Sequence, residues 1–205
     1  LREMINEGQL QELDLNDAKV KYLEEYAFCD CNGLRTLILP SCLKSINSGA
    51  IAGCCGLTSI VVPNGVEKIS EYAFYQCNNL LSLTLPANLS TLDSFKFGSH
   101  SIKVIYANMP NPIGVPDGIF REIDVKNCVL YVPAGKVGAY RSAKNWCDFD
   151  NIIEVETSGI DSVTLNPDAK VVSRFSSDGQ LLTVPVKGLN IVKYSDGSVR
   201  KVIVK

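Results

Sequence analysis

Short blocks of leucine, isoleucine and valine recur along this chain at a fixed interval, and this periodicity restricts the fold more than any other feature. The blocks at 34–40, 57–63 and 80–86 follow the pattern L-x-x-L-x-L-P, with isoleucine and valine as substitutes, and their prolines are 23 residues apart. A fixed period of this length is typical of repeat architectures. We therefore interpret the chain as a solenoid.

Further positions repeat at the same interval. One column holds Phe28, Ile51, Phe74 and Phe97, and another holds Cys31, Cys54, Cys77 and His100. An earlier copy begins at Leu10 and includes Val20, and a later one begins at Ile102, both with one-residue slips. The repeats thus extend over about residues 10–110, in roughly five coils that bury their apolar sides by stacking.

Within each unit the last two leucines of the block alternate with an outward residue, as a short strand requires. The proline then ends the strand, because it has no N–H to donate to a neighbouring strand. The same proline argues against a helical repeat, since proline inside a helix costs about 3 kcal/mol. The fold class that we predict is a leucine-rich-repeat solenoid of short parallel strands.

Composition excludes several kinds of partner. The net charge of −2 and the isoelectric point near 5.5 do not provide the basic surface that nucleic acid requires. No run approaches the roughly 18 to 20 apolar residues of a membrane-spanning helix. At the start of the sequence, Leu1, Met4 and Ile5 have helical spacing without a capping residue before them, so we expect further residues upstream.

Beyond Pro110 the period relaxes, and we interpret residues 111–156 as a cap that covers the end of the solenoid. The cap contains a strand at 128–133 that ends in a proline, a short helix within 137–146 and a last strand at 151–155. The first domain is therefore assigned to residues 1–156.

Residues 157–205 have a different sequence pattern from the repeats. Short alternating runs at 171–175, 181–184, 189–194 and 199–205 are separated by turn-forming residues, including Asp178-Gly179 and Asp196-Gly197. These features predict a second, small all-β module of antiparallel strands, with a sandwich or small barrel as its architecture.

The motifs resemble two known families. The pattern L-x-x-L-x-L-P-x-x-L-x-x-I-x-x-x-A-F-x-x-C around Leu57 to Cys77 is similar to the BspA-like leucine-rich repeats of bacterial surface proteins. The segments S-x-D-G-Q at 176–180, K-G-L-N-I-V at 187–192 and the final K-V-I-V-K resemble type IX secretion sorting domains of Bacteroidetes. The resemblances imply an extracellular or cell-surface location, in bacteria such as Bacteroides or Treponema, and a role in adhesion or contacts with host proteins.

The eight cysteines raise the question of a metal or disulfide site. Their spacing lacks the C-x-x-C pairs of a zinc site. Neighbouring coils would hold column thiols about 4.8 Å apart with parallel Cβ vectors, which suits a relaxed disulfide badly. We expect free, buried thiols in the column, bonded to the turn backbone. Cys29, Cys42, Cys55, Cys128 and Cys147 lie off the column and could differ.

Catalytic apparatus is not visible in the sequence. His100 is the only histidine, and its column favours a ladder residue bonded to loop backbone over a general base. No phosphate-binding glycine loop or H-E-x-x-H metal motif is present. We therefore predict no catalytic residues, metal ligands or cofactors.

The residues that alternate with the buried leucines should form an outward face on the strands, with Arg35 and Lys103 beside it. They are Glu12, Asp14, Thr36, Ile38, Ser59, Val61, Ser82, Thr84, Val104 and Tyr106. This mostly neutral face suits a protein or peptide ligand, such as a host matrix or bacterial surface protein, better than phosphate. Ordinary strand-surface residues are the alternative.

The function that we predict is a non-catalytic cell-surface or secreted protein that binds another protein through a curved repeat face. One alternative is a structural or glycan-binding spacer on the cell surface. A hydrolase that uses His100 and a cysteine is the least favoured alternative.

Overall fold

The computed structural model describes residues 1–93 and 100–155, residue 184, and the strands at 171–176, 181–182, 188–194 and 199–204. The chain consists of two compact units, Leu1–Thr157 and Ser158–Lys205. Side-chain positions are described for the first unit. For the second unit the pairing of the strands is described.

The first unit is built from short strands that repeat coil after coil. In chain order they are β1 (Glu12–Asp14), β2 (Tyr22–Leu23), β3 (Thr36–Ile38), β4 (Ser45–Ile46), β5 (Ser59–Val61), β6 (Lys68–Ile69), β7 (Ser82–Leu85), β8 (Thr91–Leu92), β9 (Val104–Ala107), β10 (Val129–Pro133) and β11 (Asn151–Val155). All of their pairings are parallel. The predicted solenoid of parallel strands is confirmed.

The strands fall into two rows on different sides of each coil. The first strand row contains β1 paired with β3, and a five-stranded sheet in the order β11-β10-β9-β7-β5. The second strand row, β2-β4-β6-β8, has strands of only two residues. The sequence columns Leu43 and Ile46 mark this second side, but the sequence did not predict that it forms strands.

The core lies between the two rows and is made of aligned side chains. Ile60, Leu83, Ile105, Leu130 and Ile152 are register partners in successive strands of the first row and are at most 6% exposed. Each buried side chain of this size stabilises the fold by about 2 kcal/mol relative to exposure. No coil could bury these residues without its neighbours, which explains why the repeat must stack.

The corners that follow β2, β4 and β6 each contain a residue with left-handed backbone. Tyr26, Gly49 and Tyr72 have φ of 56°, 61° and 57° and are 23 residues apart in sequence. Tyrosine adopts this backbone in two of the three coils, and glycine in the middle coil makes room for a ring, because a Cβ on Gly49 would lie 2.5 Å from Cε1 of Tyr26. The ring of Tyr26 therefore covers the backbone of the next coil.

Both ends of the solenoid core are covered. Helix α1 (Arg2–Asn6) buries Ile5 completely, and the Asn6 side chain donates a hydrogen bond of 2.9 Å to the Asp30 carbonyl. At the other end α2 (Val137–Ser142) and a 3-10 turn at Trp146–Asp148 bury Tyr140 and Trp146. The predicted short helix and last strand of the cap are confirmed.

The Tyr140 and Trp146 side chains also connect this end of the cap to the segment that follows β9. The Tyr140 hydroxyl donates to the Met109 carbonyl at 3.0 Å, and the Trp146 indole N–H donates to the Ile113 carbonyl at 2.9 Å. The two rings meet edge to face at 5.4 Å. These polar contacts let large aromatic residues lie in the core without an unpaired donor.

The second unit contains a four-stranded antiparallel sheet in the order β13-β12-β14-β15. Its strands are β12 (Val171–Ser176), β13 (Leu181–Leu182), β14 (Gly188–Tyr194) and β15 (Val199–Val204). The predicted turns at Asp178-Gly179 and Asp196-Gly197 lie outside the described residues. The sandwich or barrel expected for this unit stays a prediction.

Two predictions about the repeat columns are wrong. His100 is exposed. The coil that contains it is also one residue short, since Leu83 pairs with Ile105, which is 105 − 83 = 22 positions later. Counting by 23 therefore placed His100 in a column that it does not join. Val20 is 44% exposed in the first coil and does not continue the column of Leu43. Phe97 lies outside the described residues.

Candidate binding face on the parallel strands

The outward residues of the first strand row form two neighbouring lines of side chains, which together we call the front face. One line contains Glu12, Thr36, Ser59, Ser82, Val104, Val129 and Asn151, and the other contains Asp14, Ile38, Val61, Thr84, Tyr106, Tyr131 and Ile153. All are exposed or half-buried, whereas the residues between them in each strand are mostly buried. This arrangement follows from the alternation of side chains along a strand.

The second line carries most of the apolar surface of the front face. Ile38, Val61 and Ile153 are 44%, 56% and 46% exposed, although isoleucine and valine are normally buried. In this line Tyr106 and Tyr131 are register partners, and their rings stack with centroids 4.9 Å apart and an angle of 12° between planes. A row of this kind is what an apolar partner surface would contact.

The pairing of β9 with β10 positions the two stacked tyrosines. Neighbouring strands place their Cβ atoms at the strand spacing of about 4.8 Å, which is close to the optimal distance for offset stacking. Burial raises the pKa of the Tyr106 hydroxyl, and the neighbouring Tyr131 raises it further. The Tyr106 hydroxyl therefore stays protonated at neutral pH and can donate a hydrogen bond to a ligand.

The sequence predicted ten of these positions and missed four. Val129, Tyr131, Asn151 and Ile153 lie in β10 and β11, which the sequence analysis assigned to the cap. The alternation in Val129-Leu130-Tyr131-Val132 matches the repeat block and could have identified these positions. The spacing differs from the repeat, however, since Tyr106 and Tyr131 are 131 − 106 = 25 positions apart. The cap therefore extends the front face as well as covering the core.

Charge is unevenly distributed along the front face. Glu12 and Asp14 are both exposed at the first coil, and the next described coils carry neutral residues in the same two lines. Arg35 and Lys103 are exposed and directly precede the strands β3 and β9. The front face thus has an acidic end and an apolar, aromatic end.

The column thiols lie inside the solenoid, away from the front face. Cys54 and Cys77 are at most 1% exposed, and their Sγ atoms donate to the carbonyls of Phe28 and Ile51 at 3.0 and 3.1 Å. Each thiol thus bonds to the turn backbone of the preceding coil, as predicted. Burial raises the pKa of the Cys77 thiol to about 12 and that of Cys54 still higher. These sulfurs are therefore poor nucleophiles.

The off-column cysteines differ in exposure. All eight cysteines are free thiols in the structure: Cys128 is buried, Cys29, Cys42 and Cys55 are half-buried, and Cys147 is exposed. Within the described residues, no group of three or more His, Cys, Asp or Glu side chains is arranged to hold a metal ion. Among those same residues none forms a hydrogen bond with the His100 ring.

Comparison with known proteins identifies the repeat. The sequence profile of the BspA type leucine rich repeat region matches residues 4–123, in six copies. This match covers more than half of the chain. The chain belongs to the BspA-type leucine-rich repeat family. The BspA-type match begins within α1 and ends before β10, so the family assignment rests on the coils that carry the regular period.

Other comparisons add less. No curated protein matches this chain. A leucine rich cell surface protein from Faecalibacterium prausnitzii A2-165 is similar over 77% of this BspA-type chain and 63% of its own, at 15% identity and a TM-score of 0.25. The chain thus spans less than two thirds of the length of that protein. Within the described residues, no helix is long and apolar enough to cross a membrane.

Proposed function

We propose that this protein acts at the bacterial cell surface or outside the cell and binds a protein or peptide ligand through the front face, without catalysing a reaction. Membership of the BspA-type family supports a surface and binding role. The observation that carries the proposal is the line of the front face that contains the exposed Ile38, Val61 and Ile153 together with the stacked pair Tyr106 and Tyr131. Apolar side chains that lie next to one another on the surface often mark a site where another protein binds.

The chemistry of the front face fits a protein better than other ligands. Tyrosine is among the residues that contribute most to protein–protein binding energy, since its ring buries a large area and its hydroxyl can still bond. The acidic pair Glu12 and Asp14 at one end disfavours phosphate and nucleic acid, which need cationic partners. The ligand class that we propose includes host matrix proteins and surface proteins of other bacteria.

Binding can be tested by substitution of the tyrosines on the front face. Tyr131→Ala and Tyr106→Ala should each weaken binding about tenfold or more, because each removes half of the stacked pair. Ile38→Asp should weaken it through the cost of burying a charge against an apolar partner. Affinity for a panel of extracellular-matrix and bacterial surface proteins would be measured by surface plasmon resonance.

Tyr22→Ala is a matched control for this experiment, because Tyr22 is 55% exposed on the second strand row and lies outside the front face. Its affinity should equal that of the unmodified protein. Equal affinity of Tyr131→Ala, Tyr106→Ala and Ile38→Asp to the unmodified protein would remove the front face as the binding site.

We propose in addition that residues 157–205 direct export and attachment, as a type IX sorting module would. The support is the resemblance of the segments at 176–180 and 187–192 and the separation of this part as a compact antiparallel unit. Expression in a type IX-competent host with and without residues 158–205 tests this. Surface display that persists without them would count against the proposal.

Catalysis by His100 remains the rival function, and the position of His100 gives it little support. The ring is exposed, and no nucleophile among the described residues bonds to it. Any hydrolytic activity that is found should therefore persist in His100→Asn. An activity lost in that variant would establish the enzyme function instead.

A further inference from the structure

A cleft on the opposite side of the coils from the front face has a lining unlike the rest of the surface. It has a volume of about 420 Å³ and lies where the chain leaves the strands of the second strand row, at residues 25, 47–48, 70–71 and 93. Lys68 on β6 completes the lining. We call it the corner cleft. Every side chain that lines it is polar or charged.

Several of these polar groups are held in place by the repeat. The Asn47 side-chain oxygen accepts a hydrogen bond of 3.1 Å from the Ser45 hydroxyl, and the Ser48 hydroxyl donates to the Glu71 carbonyl at 3.0 Å. Lys68 forms an ion pair with Asp93 at 3.5 Å. Asn47, Ser48 and Asp93 are half-buried. Because these side chains are already held in place, they lose less conformational entropy when a ligand binds.

Other groups of the corner cleft keep unused hydrogen-bonding capacity. Within the described residues, the carboxylates of Glu25 and Glu71 and the hydroxyl of Ser70 have no hydrogen-bond or ion-pair partner. A carboxylate oxygen accepts hydrogen bonds, whereas the Asn47 amide nitrogen and the Lys68 ammonium donate them. A ligand that satisfies this set must therefore both donate and accept over a short distance.

We propose that the corner cleft binds a polyhydroxylated carbohydrate, one or two sugar residues at a time. A sugar hydroxyl donates and accepts at once, so adjacent hydroxyls can bond to Glu71 or Glu25 on one side and to Asn47 on the other. A cationic peptide would bring its positive charge towards the Lys68 ammonium, and its charged side chains have no acceptor for the Asn47 amide nitrogen. The volume lies in the usual range for small-molecule sites, about 300 to 1,000 Å³, whereas the polar lining departs from their usual apolar one.

Exposed aromatic rings lie close to the corner cleft in sequence. Tyr26 follows Glu25 directly and Tyr72 follows Glu71, and they are 56% and 42% exposed. Their left-handed backbone repeats at the same corner in both coils. Neither ring lines the corner cleft, so the carbohydrate proposal rests on the polar groups of its lining.

The test is a binding assay of the full chain on an array of immobilised neutral, acidic and amino oligosaccharides, followed by calorimetric titration with the glycan that binds best. Asn47→Ala and Glu71→Gln should each weaken that binding about tenfold, since the first removes a donor to a ligand hydroxyl and the second replaces a charged acceptor with a weaker neutral one. Glu25→Gln serves as a second carboxylate variant at an exposed position. Thermal unfolding of each variant confirms that it is folded.

Matched controls separate this site from the front face. Glu67→Gln removes the same charge from the same coil at a side chain that pairs with Lys44 at 3.1 Å outside the corner cleft, and it should bind glycan normally. Tyr131→Ala should also keep glycan binding while it loses protein binding.

Three results would overturn the carbohydrate site. These are a complete lack of glycan binding, glycan binding that is unchanged in Asn47→Ala, Glu71→Gln and Glu25→Gln, and binding of hexalysine that disappears in Glu71→Gln while no glycan binds. The last result would assign the cleft to a cationic peptide.

Discussion

Single residues stabilise this solenoid mainly through contacts with the coil before or after their own. A Cβ on Gly56 would overlap the carbonyl oxygens of Leu34 and Asn32 in the preceding coil, so only glycine permits this approach. The thiols of Cys54 and Cys77 bond to carbonyls in the preceding coil at their own corners. The stacking distance between coils is therefore fixed by small residues and by sulfur at defined positions.

Gly56→Ala should destabilise the protein by several times more than an ordinary surface change, because the added methyl meets backbone that cannot move aside. We expect a loss of about 2 kcal/mol or more in the free energy of unfolding. Gly138→Ala is the contrasting variant, since Gly138 lies in α2 with nothing within 4 Å of an added Cβ. It should stabilise the protein by about 0.5 to 1 kcal/mol. Urea denaturation of both variants measures the difference, and a similar effect in both would show that the coils can separate at Gly56.

The buried thiols predict a loss of stability at alkaline pH. The folded-state pKa values of Cys77 and Cys128 are raised by burial to about 12 from an ordinary value of 9.0, so the unfolded chain releases these protons first. Their contribution to stability is complete below about pH 9 and is lost as the pH rises toward 12. The free energy of unfolding should therefore decrease more steeply above pH 9 in the unmodified protein than in Cys77→Ala. Cys147→Ala, which removes an exposed thiol, should retain the steep decrease; the same slope in all three proteins would contradict this account.

At the scale of elements, the sequence predicts a strand where buried and exposed residues alternate. It does not predict the strands that are too short to show this alternation. The first strand row follows from leucines two apart, whereas a strand of two residues such as Ser45–Ile46 has no alternation to recognise. The corner turns were missed because tyrosine is an uncommon residue in left-handed backbone, and Tyr26 and Tyr72 adopt it only within the stacked repeat. Tyr131 and Ile153 were missed because their coils depart from the 23-residue period.

The cap is the element whose loss should affect stability most. Trp146 is fully buried, its ring contacts those of Phe120 and Tyr140, and its N–H bonds to the Ile113 carbonyl. Trp146→Ala should cost about 3 to 5 kcal/mol. Hydrogen exchange should then show faster exchange in β10 and β11 than in β5 and β7, because the change exposes the end of the stack first. Uniform acceleration in all strands would mean that the solenoid unfolds as one cooperative unit.

At the scale of the whole molecule, the fold is more predictable than its ligands. Every coil must place apolar side chains in the core, so apolar residues such as Leu83 and Ile105 recur periodically in the sequence. The front face and the corner cleft face solvent, and the sequence showed the first as alternating residues but did not show that Glu25, Asn47 and Glu71 come together. Their proximity depends on three separate coils being aligned, which is a property of the stack rather than of any one segment.

The parallel register of the first strand row has a consequence for the size of what the protein can hold. Since each coil adds one side chain to each line of the front face, a partner's footprint is measured in whole coils of about 4.8 Å. Insertion of a further 23-residue copy between β5 and β7 would move Tyr106 and Tyr131 one step away from Asp14 and leave both ends chemically intact. Gain or loss of a repeat therefore changes the length of ligand that the front face can bind, whereas the residues that contact the two ends of the ligand stay the same.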